Sequence, residues 1–294
     1  MASTRDIRRR IKSVKNTSQI TKAMQRVAAS KMRRAQQAAL AGRPYAIQMN
    51  KMLASLQAAN TEHLHHPFLS KREGTHAGVL VISTDKGLCG ALNTNLFREV
   101  MKFPKDSSFV TVGRKGRQFV ARTGRHLLAD FELKDNATAL QVKQVSQFLI
   151  DQFLTGKIDS IHIAFSRFVS TLVQDPVTVQ VLPIQEIPRI KKQGSPNEEE
   201  EEETKEQSPR EYLFEPSPAQ VLDKLLPYYV HFLVYQMLLN AHASEHSARM
   251  VAMKNATDNA KQMIKDLTLQ YNKARQAAIT NEILEISTAQ MALN

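Results

Sequence analysis

Apolar residues near both ends of the chain recur in alternating steps of three and four, the spacing of a helix that packs one stripe against a partner helix. The amino-terminal stripe comprises Ile7, Ile11, Val14, Ser18, Thr21, Gln25, Ala28, Met32, Ala35 and Ala39. The carboxyl-terminal stripe comprises Met253, Ala256, Ala260, Ile264, Leu267, Tyr271, Ala274 and Ala278, followed after a one-residue shift by Ile279, Ile283, Ile286 and Leu293. Because the stripes can bury each other, the pattern predicts a long antiparallel coiled coil, slim because many seam residues are small.

Glycine and proline mark the limits of these helices. Residues 1–41 and 228–294 contain neither, and all ten glycines lie within residues 42–194. Ser217-Pro218-Ala219-Gln220 is a capping box with proline at the first helical position, so the last helix is expected to begin there. Pro44 is expected to break or bend the first helix, because proline lacks the N–H group that a helix interior requires.

Between the two helices, strand and helix patterns alternate. The predicted strands are Ala77–Thr84, Phe109–Val112, Leu127–Phe131, Ile161–Phe165 and Val177–Leu182, and the predicted helices are Leu92–Phe103, Gln118–Arg122 and Ala139–Leu154. This alternation predicts an α/β domain with a largely parallel sheet. The fold class is therefore α/β, a long antiparallel coiled coil of N- and C-terminal helices plus a Rossmann-like α/β domain. The predicted boundaries are 1–60 for the N-terminal coiled-coil helix, 77–187 for the α/β domain, 188–216 for an acidic loop and a strand leading onward, and 217–294 for the C-terminal coiled-coil helix.

Six consecutive glutamates, Glu198–Glu203, lie in a stretch bracketed by two Ser-Pro pairs. Like charges at this density cannot pack into a core, so a solvated loop is expected. A functional acidic segment remains the alternative.

Positive charge is concentrated at the amino-terminal end. The chain of 294 residues has a formal net charge of +12, and residues 1–43 hold twelve Arg and Lys against the single acid Asp6. This distribution predicts acidic partners. A second hypothesis is a nucleic-acid-binding coiled-coil protein that uses residues 5–34 as a basic helix. Against it, that segment contains no aromatic residue for base stacking, and its charges surround the helix.

Targeting and redox signals are weak. The Arg-rich start superficially resembles a mitochondrial transit peptide, but the helical pattern continues through it without a break. Cys89 is the only cysteine, which excludes an intramolecular disulfide and favours a reducing compartment. No apolar run reaches the roughly 20 residues of a membrane span.

Motifs for catalysis are absent or incomplete. There is no Walker A pattern, and residues 84–90 lack the spacing of a phosphate-binding loop. Residues 113–116 resemble such a loop weakly and are interpreted as a basic turn. Residues 242–246 match the H-x-x-E-H zinc pattern, but nothing downstream supplies a third ligand. Cys89 is interpreted as a small buried thiol. We therefore expect no catalytic residue, no cofactor and no metal.

Five segments carry a family resemblance: the run Asp6–Met32, the motif Ser83-Thr-Asp-Lys-Gly-Leu-Cys-Gly90 with Asn93, Asn95 and Phe97, the run Tyr212–Pro216, and the runs Ala248–Asn259 and Tyr271–Glu282. In order and spacing they resemble the γ subunits of F-type ATP synthases. The similarity spans nearly the whole chain.

The resemblance implies a non-catalytic central-stalk rotor subunit of a proton-translocating enzyme, present as one copy per complex. Its coiled coil would rise into a ring of α and β subunits, three each, and its α/β domain would meet the ε subunit and the c-ring. The membrane, at the cytoplasmic face of a bacterial cell, would be contacted only through the c-ring, and nucleic acid would not be a partner. The resemblance also implies that the passage at Pro44 is only bent, and that Met24 lies close to Arg249. Contacts coupling rotation to the α and β subunits would be made by Met24, Lys31, Lys86, Arg249, Arg275, Gln276, Thr280 and Glu282.

Overall fold

Helices at both ends of the chain flank a segment that contains all the strands found in the described residues. The computed structural model describes residues 4–58, 66–70, 72, 74, 76–135, 137–184, 215 and 217–292. The helices are α1 (Thr4–Ala41), α2 (Arg43–Ala58), α3 (Leu92–Val100), α4 (Arg114–Arg122), α5 (Ala139–Leu154) and α6 (Pro218–Ala292). The strands are β1 (Ala77–Ile82), β2 (Ser108–Val112), β3 (His126–Phe131), β4 (Ser160–Phe168) and β5 (Gln174–Leu182). The chain divides into two units, the first comprising residues 1–29 and 249–294 and the second residues 30–248.

The strands form one sheet in the order β3-β2-β1-β4-β5. β1 pairs in parallel with β2 on one side and with β4 on the other, and β2 pairs in parallel with β3. β5 differs because it returns from β4 as the antiparallel strand of a hairpin. The predicted α/β class with a largely parallel sheet is confirmed.

Alternate residues of β1 enter two different cores. Val79 and Val81 pack with side chains of α3 and α4, whereas Leu80 and Ile82 pack with α5, α2 and the part of α6 that lies in the second unit. All six residues of β1 are buried, as expected for a central parallel strand covered on both faces. The sheet is therefore the middle layer of three.

The first helix is interrupted at Gly42 and not at Pro44. α1 ends at Ala41 and α2 begins at Arg43, so Pro44 lies in the first turn of α2, where a missing N–H group costs little. The Gly42 N–H donates to the Ala38 carbonyl at 3.4 Å, and the Gly42 carbonyl accepts from the Ala46 N–H at 3.2 Å. The prediction of a break at Pro44 was wrong. Pro44 lies in the first turn of a new helix, and the sequence pattern did not show that a helix begins at Arg43.

Two other helix starts were tested by the structure. Ser217 caps α6 as predicted, its Oγ accepting the Gln220 N–H at 3.4 Å. α4 begins at Arg114, so the interpretation of residues 113–116 as a basic turn is corrected: three of the four residues form the first helical turn. The predicted acidic run Glu198–Glu203 lies outside the described residues.

Candidate functional site

The segment that follows β1 holds the amino-terminal end of α4 against the sheet. The N–H groups of the first turn of α4 all find acceptors in this segment. Arg114 donates to Asp85 Oδ1 at 3.0 Å, Lys115 to the Thr84 carbonyl at 3.1 Å and Gly116 to Ser83 Oγ at 2.7 Å. A helix start with free N–H groups is where a phosphate would bind. Here those groups are already hydrogen bonded within the chain.

The same segment is folded back on itself by Thr84. Thr84 Oγ1 donates to the Lys86 carbonyl and accepts from Asn93 Nδ2, both at 2.8 Å. Leu88 has φ of 66°, a left-handed conformation that is rare outside glycine, and its side chain is exposed. Cys89 is buried, as predicted, and packs against Leu92 and Ala248. The motif therefore presents Lys86 and Leu88 at the surface on a loop shaped by buried polar contacts.

A pocket lies at the carboxyl ends of β1 and β4, where the chain order in the sheet diverges. Open α/β sheets bind ligands at such a position. The sheet side of the pocket is lined by Ser83, Thr84 and Ser166, and the opposite side by His242 and Glu245 of α6. The crevice is therefore covered by side chains of the chain's own last helix.

The residues of the H-x-x-E-H pattern are buried and lie near one another. His242 Nδ1 is 3.8 Å from Glu245 Oε2, and the rings of His242 and His246 are stacked with centroids 6.4 Å apart. His246 Nε2 lies 3.8 Å from Asp135 Oδ2. No group of three or more His, Cys, Asp or Glu side chains in the described residues is placed to hold a metal ion.

In the first unit, the amino-terminal stripe predicted from the sequence is the packed face of α1. Its members from Ile7 to Ala28 are all buried or half-buried. Thr21 and Thr257 bond through their hydroxyls at 2.7 Å, and the Arg8 guanidinium lies 5.8 Å from the Tyr271 ring centroid. Arg8 precedes Thr21 in α1, whereas its partner Tyr271 follows Thr257 in α6. The two helices are therefore antiparallel. The predicted antiparallel coiled coil is confirmed, and Thr257 is a buried seam residue that the pattern missed.

The carboxyl-terminal stripe is packed only as far as Ala274. Met253, Ala260 and Leu267 are buried, and Ala256, Ile264, Tyr271 and Ala274 are half-buried. Beyond this point Ala278 is exposed, and Ile279, Ile283 and Ile286 are 47%, 61% and 67% exposed. The prediction that the seam continues through these isoleucines was wrong for the described chain, because the antiparallel register brings the start of α1 level with Ala274. Leu293 lies outside the described residues.

The eight residues implied to couple rotation fall into three groups. Met24 and Arg249 are half-buried in the first unit. Arg275, Gln276, Thr280 and Glu282 are exposed on the end of α6 that lacks a packed stripe. Lys86 is exposed on the loop after β1, and Lys31 is exposed but bonded to Asp135 at 2.6 Å, both in the second unit. Asp135, which the sequence pattern did not single out, is the partner of Lys31.

The helices that the structure describes include none with both the length and the apolar character to cross a membrane.

Comparisons with known proteins match the chain along its whole length. A family model described as ATP synthase covers residues 3–293. The ATP synthase gamma chain of Opitutus terrae is 53% identical over 298 residues, covering 99% of each chain. The ATP synthase gamma chain of Methylacidiphilum infernorum is 50% identical over 299 residues, covering 100% of each.

Solved structures show a similar fold at lower identity. A chain of the Euglena gracilis mitochondrial ATP synthase, in an assembly of OSCP, F1 and c-ring, aligns with a TM-score of 0.66 and 18% identity, covering 99% of this chain and 94% of that one. A chain from the central stalk and c-ring of the Tetrahymena thermophila mitochondrial ATP synthase aligns with a TM-score of 0.59 and 23% identity, covering 81% of this chain and 99% of that one.

Proposed function

The chain belongs to the ATP synthase gamma chain family, and on this premise we propose that it is the central-stalk rotor subunit of a proton-translocating F-type ATP synthase. It couples rotation of the c-ring to conformational cycling of the catalytic β subunits and carries no active site itself. The observation that carries the proposal is the end of α6, where a helix exposes three isoleucines and several polar residues beyond the last packed seam position, Ala274. Such a helix requires a surrounding partner to bury its apolar side chains.

The partners follow from the same proposal. The coiled coil lies within a ring of α and β subunits, three each, and the α/β domain contacts the ε subunit and the c-ring. One copy is present per complex. The chain is peripheral at the cytoplasmic face of a bacterial membrane and reaches the membrane only through the c-ring.

An asymmetric shaft supplies the mechanism. A single chain that contacts three chemically identical β subunits makes different contacts with each one. These differences in contact energy bias each β subunit toward a different nucleotide affinity, and thermodynamic linkage makes the influence reciprocal. Rotation driven by protons then promotes ATP release, and ATP hydrolysis drives rotation in the opposite sense.

The coupling contacts in this proposal are Met24, Lys31, Lys86, Arg249, Arg275, Gln276, Thr280 and Glu282. Exposure supports the assignment for the four residues at the end of α6 and for Lys86, because these side chains are accessible to a partner. Net positive charge on α1 suits acidic surfaces on the β subunits. The alternative of nucleic-acid binding has no supporting aromatic surface in residues 5–34.

Reconstitution tests the function. The chain is combined with purified α and β subunits, one β carrying an affinity tag, and ATP hydrolysis by the isolated chain and by the purified complex is compared. We expect co-purification with β and turnover only in the complex. ATP turnover by the chain alone that is abolished by a point substitution within it would overturn the proposal.

A separate experiment tests the coupling contacts through Met24→Lys, measured in membrane vesicles as protons pumped per ATP hydrolysed. The added charge favours some rotor angles over others by repelling Arg249 or by pairing with a β carboxylate, so the ratio should fall while assembly is retained. Arg249→Gln should partly restore the ratio if the repulsion dominates. An unchanged ratio in Met24→Lys would remove Met24 from the set.

A further inference from the structure

Two long helices and a loop of the sheet domain converge on one carboxylate in the second unit. Asp135 lies in the connection between β3 and α5. Lys31 of α1 places its Nζ 2.6 Å from Asp135 Oδ2, and His246 of α6 places its Nε2 3.8 Å from the same oxygen atom. These residues are far apart in the sequence, so their convergence is a product of the fold.

At this carboxylate, the buried imidazole of His246 lies beside the partly exposed ion pair of Lys31 and Asp135. The His246 side chain is 4% exposed, whereas Asp135 and Lys31 are 38% and 46% exposed. Burial raises the pKa of Asp135, but the Lys31 hydrogen bond and the charges of His246, Lys31 and His242 outweigh it, so that the pKa lies below its ordinary value. Asp135 is therefore a carboxylate at neutral pH that accepts a hydrogen bond from Lys31 and lies 3.8 Å from the His246 imidazole.

The cluster continues along α6 toward the sheet. His242 stacks on His246 with an interplanar angle of 17°, and Glu245 Oε2 lies 3.8 Å from His242 Nδ1. His242 and Glu245 also line the crevice at the ends of β1 and β4. This face of α6 therefore places His242 and Glu245 at the crevice and His246 beside Asp135.

We propose that Asp135 is a positioning residue for rotary coupling, because it fixes the second-unit parts of α1 and α6 to the loop between β3 and α5 through Lys31 and His246. The inference rests on the proposed function and extends it. A seam of small residues offers few features that resist sliding or rotation of a helix about its axis. An ion pair and an imidazole contact to one oxygen atom fix the rotational setting of both helices, since turning either helix breaks its contact. Lys31 then acts through Asp135 within the chain.

The test uses the complete complex in membrane vesicles and measures ATP hydrolysis and ATP-driven proton pumping. Asp135→Asn removes the charge with little change of shape, and we expect normal hydrolysis with loss of part of the proton pumping. Asp135→Glu keeps the carboxylate and should retain more pumping than Asp135→Asn. Asp106→Asn is the matched control, since Asp106 is exposed, and it should pump like the wild type.

Lys31→Gln, alone and combined with Asp135→Asn, distinguishes the two roles of Lys31. If Lys31 acts through Asp135, the double variant loses no more pumping than the more affected single variant. Additive losses, or a loss in Lys31→Gln with none in Asp135→Asn, would overturn the proposal in favour of a direct contact between Lys31 and another subunit.

Stability and function are separated by two further measurements. The thermal midpoint of the full chain carrying Asp135→Asn should fall by about 2 °C or less, as expected for an exposed ion pair. If Asp135→Asn fails to assemble, Lys31→Gln gives the decisive reading, because its side chain is at the surface, and normal pumping there overturns the inference. Failure of the wild-type complex to pump would contradict the proposed function itself, whereas wild-type pumping with equal pumping by Asp135→Asn and Asp106→Asn would contradict only the inference.

Discussion

Gly113 shows at the scale of one residue how backbone conformation supports the motif after β1. Its φ is 97°, and a Cβ atom at this position would overlap the Ser83 carbonyl oxygen. Gly113→Ala should therefore lower the free energy of unfolding by about 2 kcal/mol or more, from left-handed strain and the steric overlap. Thermal unfolding of the full chain measures the change. Gly87→Ala is the control, because a Cβ there meets no atom within 4 Å; equal destabilisation by both substitutions would show that the close approach at Ser83 is unimportant.

Two half-buried histidines, His162 and His231, make stability depend on pH. Burial lowers the pKa of His162, and burial together with the charge of Lys143 lowers the pKa of His231, whose Nδ1 lies 2.6 Å from Ser146 Oγ. The unfolded chain then binds more protons than the folded chain as pH falls below the ordinary value of 6.5. The stability contribution is therefore complete above that pH and is lost as pH falls through the lowered pKa values.

We expect the unfolding midpoint of the chain to decrease on acidification below that value, and the decrease to be shallower in His162→Gln and in His231→Gln. Each glutamine variant is compared with the wild type across the same pH series by thermal unfolding. Parallel curves for wild type and both variants would show that neither histidine contributes to the pH dependence.

Single residues also mark the limit of what the sequence could predict. The alternating spacing identified Thr21 as a seam position although it is polar, and Thr257 could have been found the same way, since it lies four residues after Met253 and three before Ala260. Asp135 gave no such signal. It lies in a loop, and its partners Lys31 and His246 are brought to it only by the packing of three elements.

At the scale of elements, periodicity predicted the helices and strands well where one face is buried. The stripe of α1 and the strand β1 are clear cases, because burial imposes a regular pattern on them. Starts and interruptions were less predictable. Pro44 was predicted to break a helix but lies in the first turn of α2. Residues 113–116 were interpreted as a turn because they have no capping side chain of their own. Their helix start is stabilised instead by acceptors from the segment after β1.

The threonine pair in the coiled coil gives a prediction for that element. Each hydroxyl also lies within hydrogen-bonding distance of a carbonyl of its own helix, Thr257 Oγ1 2.8 Å from the Met253 carbonyl and Thr21 Oγ1 3.1 Å from the Ser18 carbonyl. The hydroxyl that donates across the seam can therefore turn to its own carbonyl when its partner is removed. Thr21→Val and Thr257→Val should each cost about 1 kcal/mol of stability, and the double variant should cost less than the two together, because two apolar side chains then face each other.

A double-mutant cycle on the full chain, measured by denaturant unfolding, gives the interaction energy between the two threonines. Thr268→Val is the control, since Thr268 is exposed and its hydroxyl bonds only within its own helical turn. Additive costs in the cycle would mean that the hydroxyl contact contributes nothing to the pairing of the helices.

At the scale of the whole molecule, the sequence predicted the class of the fold but not how its parts cover one another. The buried run of β1 implied a sheet with two covered faces. It could not show that His242 and Glu245 of α6 line the crevice at the ends of β1 and β4, because that arrangement depends on a helix more than 150 residues away in the chain. The same limit applies to the end of the seam. Periodicity continued through Ile279 to Ile286, but the register of the two helices ends the packing near Ala274.

The exposed isoleucines at the end of α6 supply the prediction at this scale. In the isolated chain, Ile279→Gln combined with Ile283→Gln and Ile286→Gln should change the free energy of unfolding by less than about 0.5 kcal/mol, because the side chains are largely exposed and glutamine suits a helix. In the assembled complex the same change should weaken binding of the chain to the α and β subunits, since burial of each isoleucine there contributes about 1.5–3 kcal/mol to the binding free energy. The measurements are thermal unfolding of the chain, and assembly and ATP-driven pumping of the complex. Leu140→Gln, at an exposed position of α5, should affect neither the chain nor the coiled-coil contacts. A triple variant that assembles and pumps like the wild type would show that the end of α6 is not enclosed by the ring.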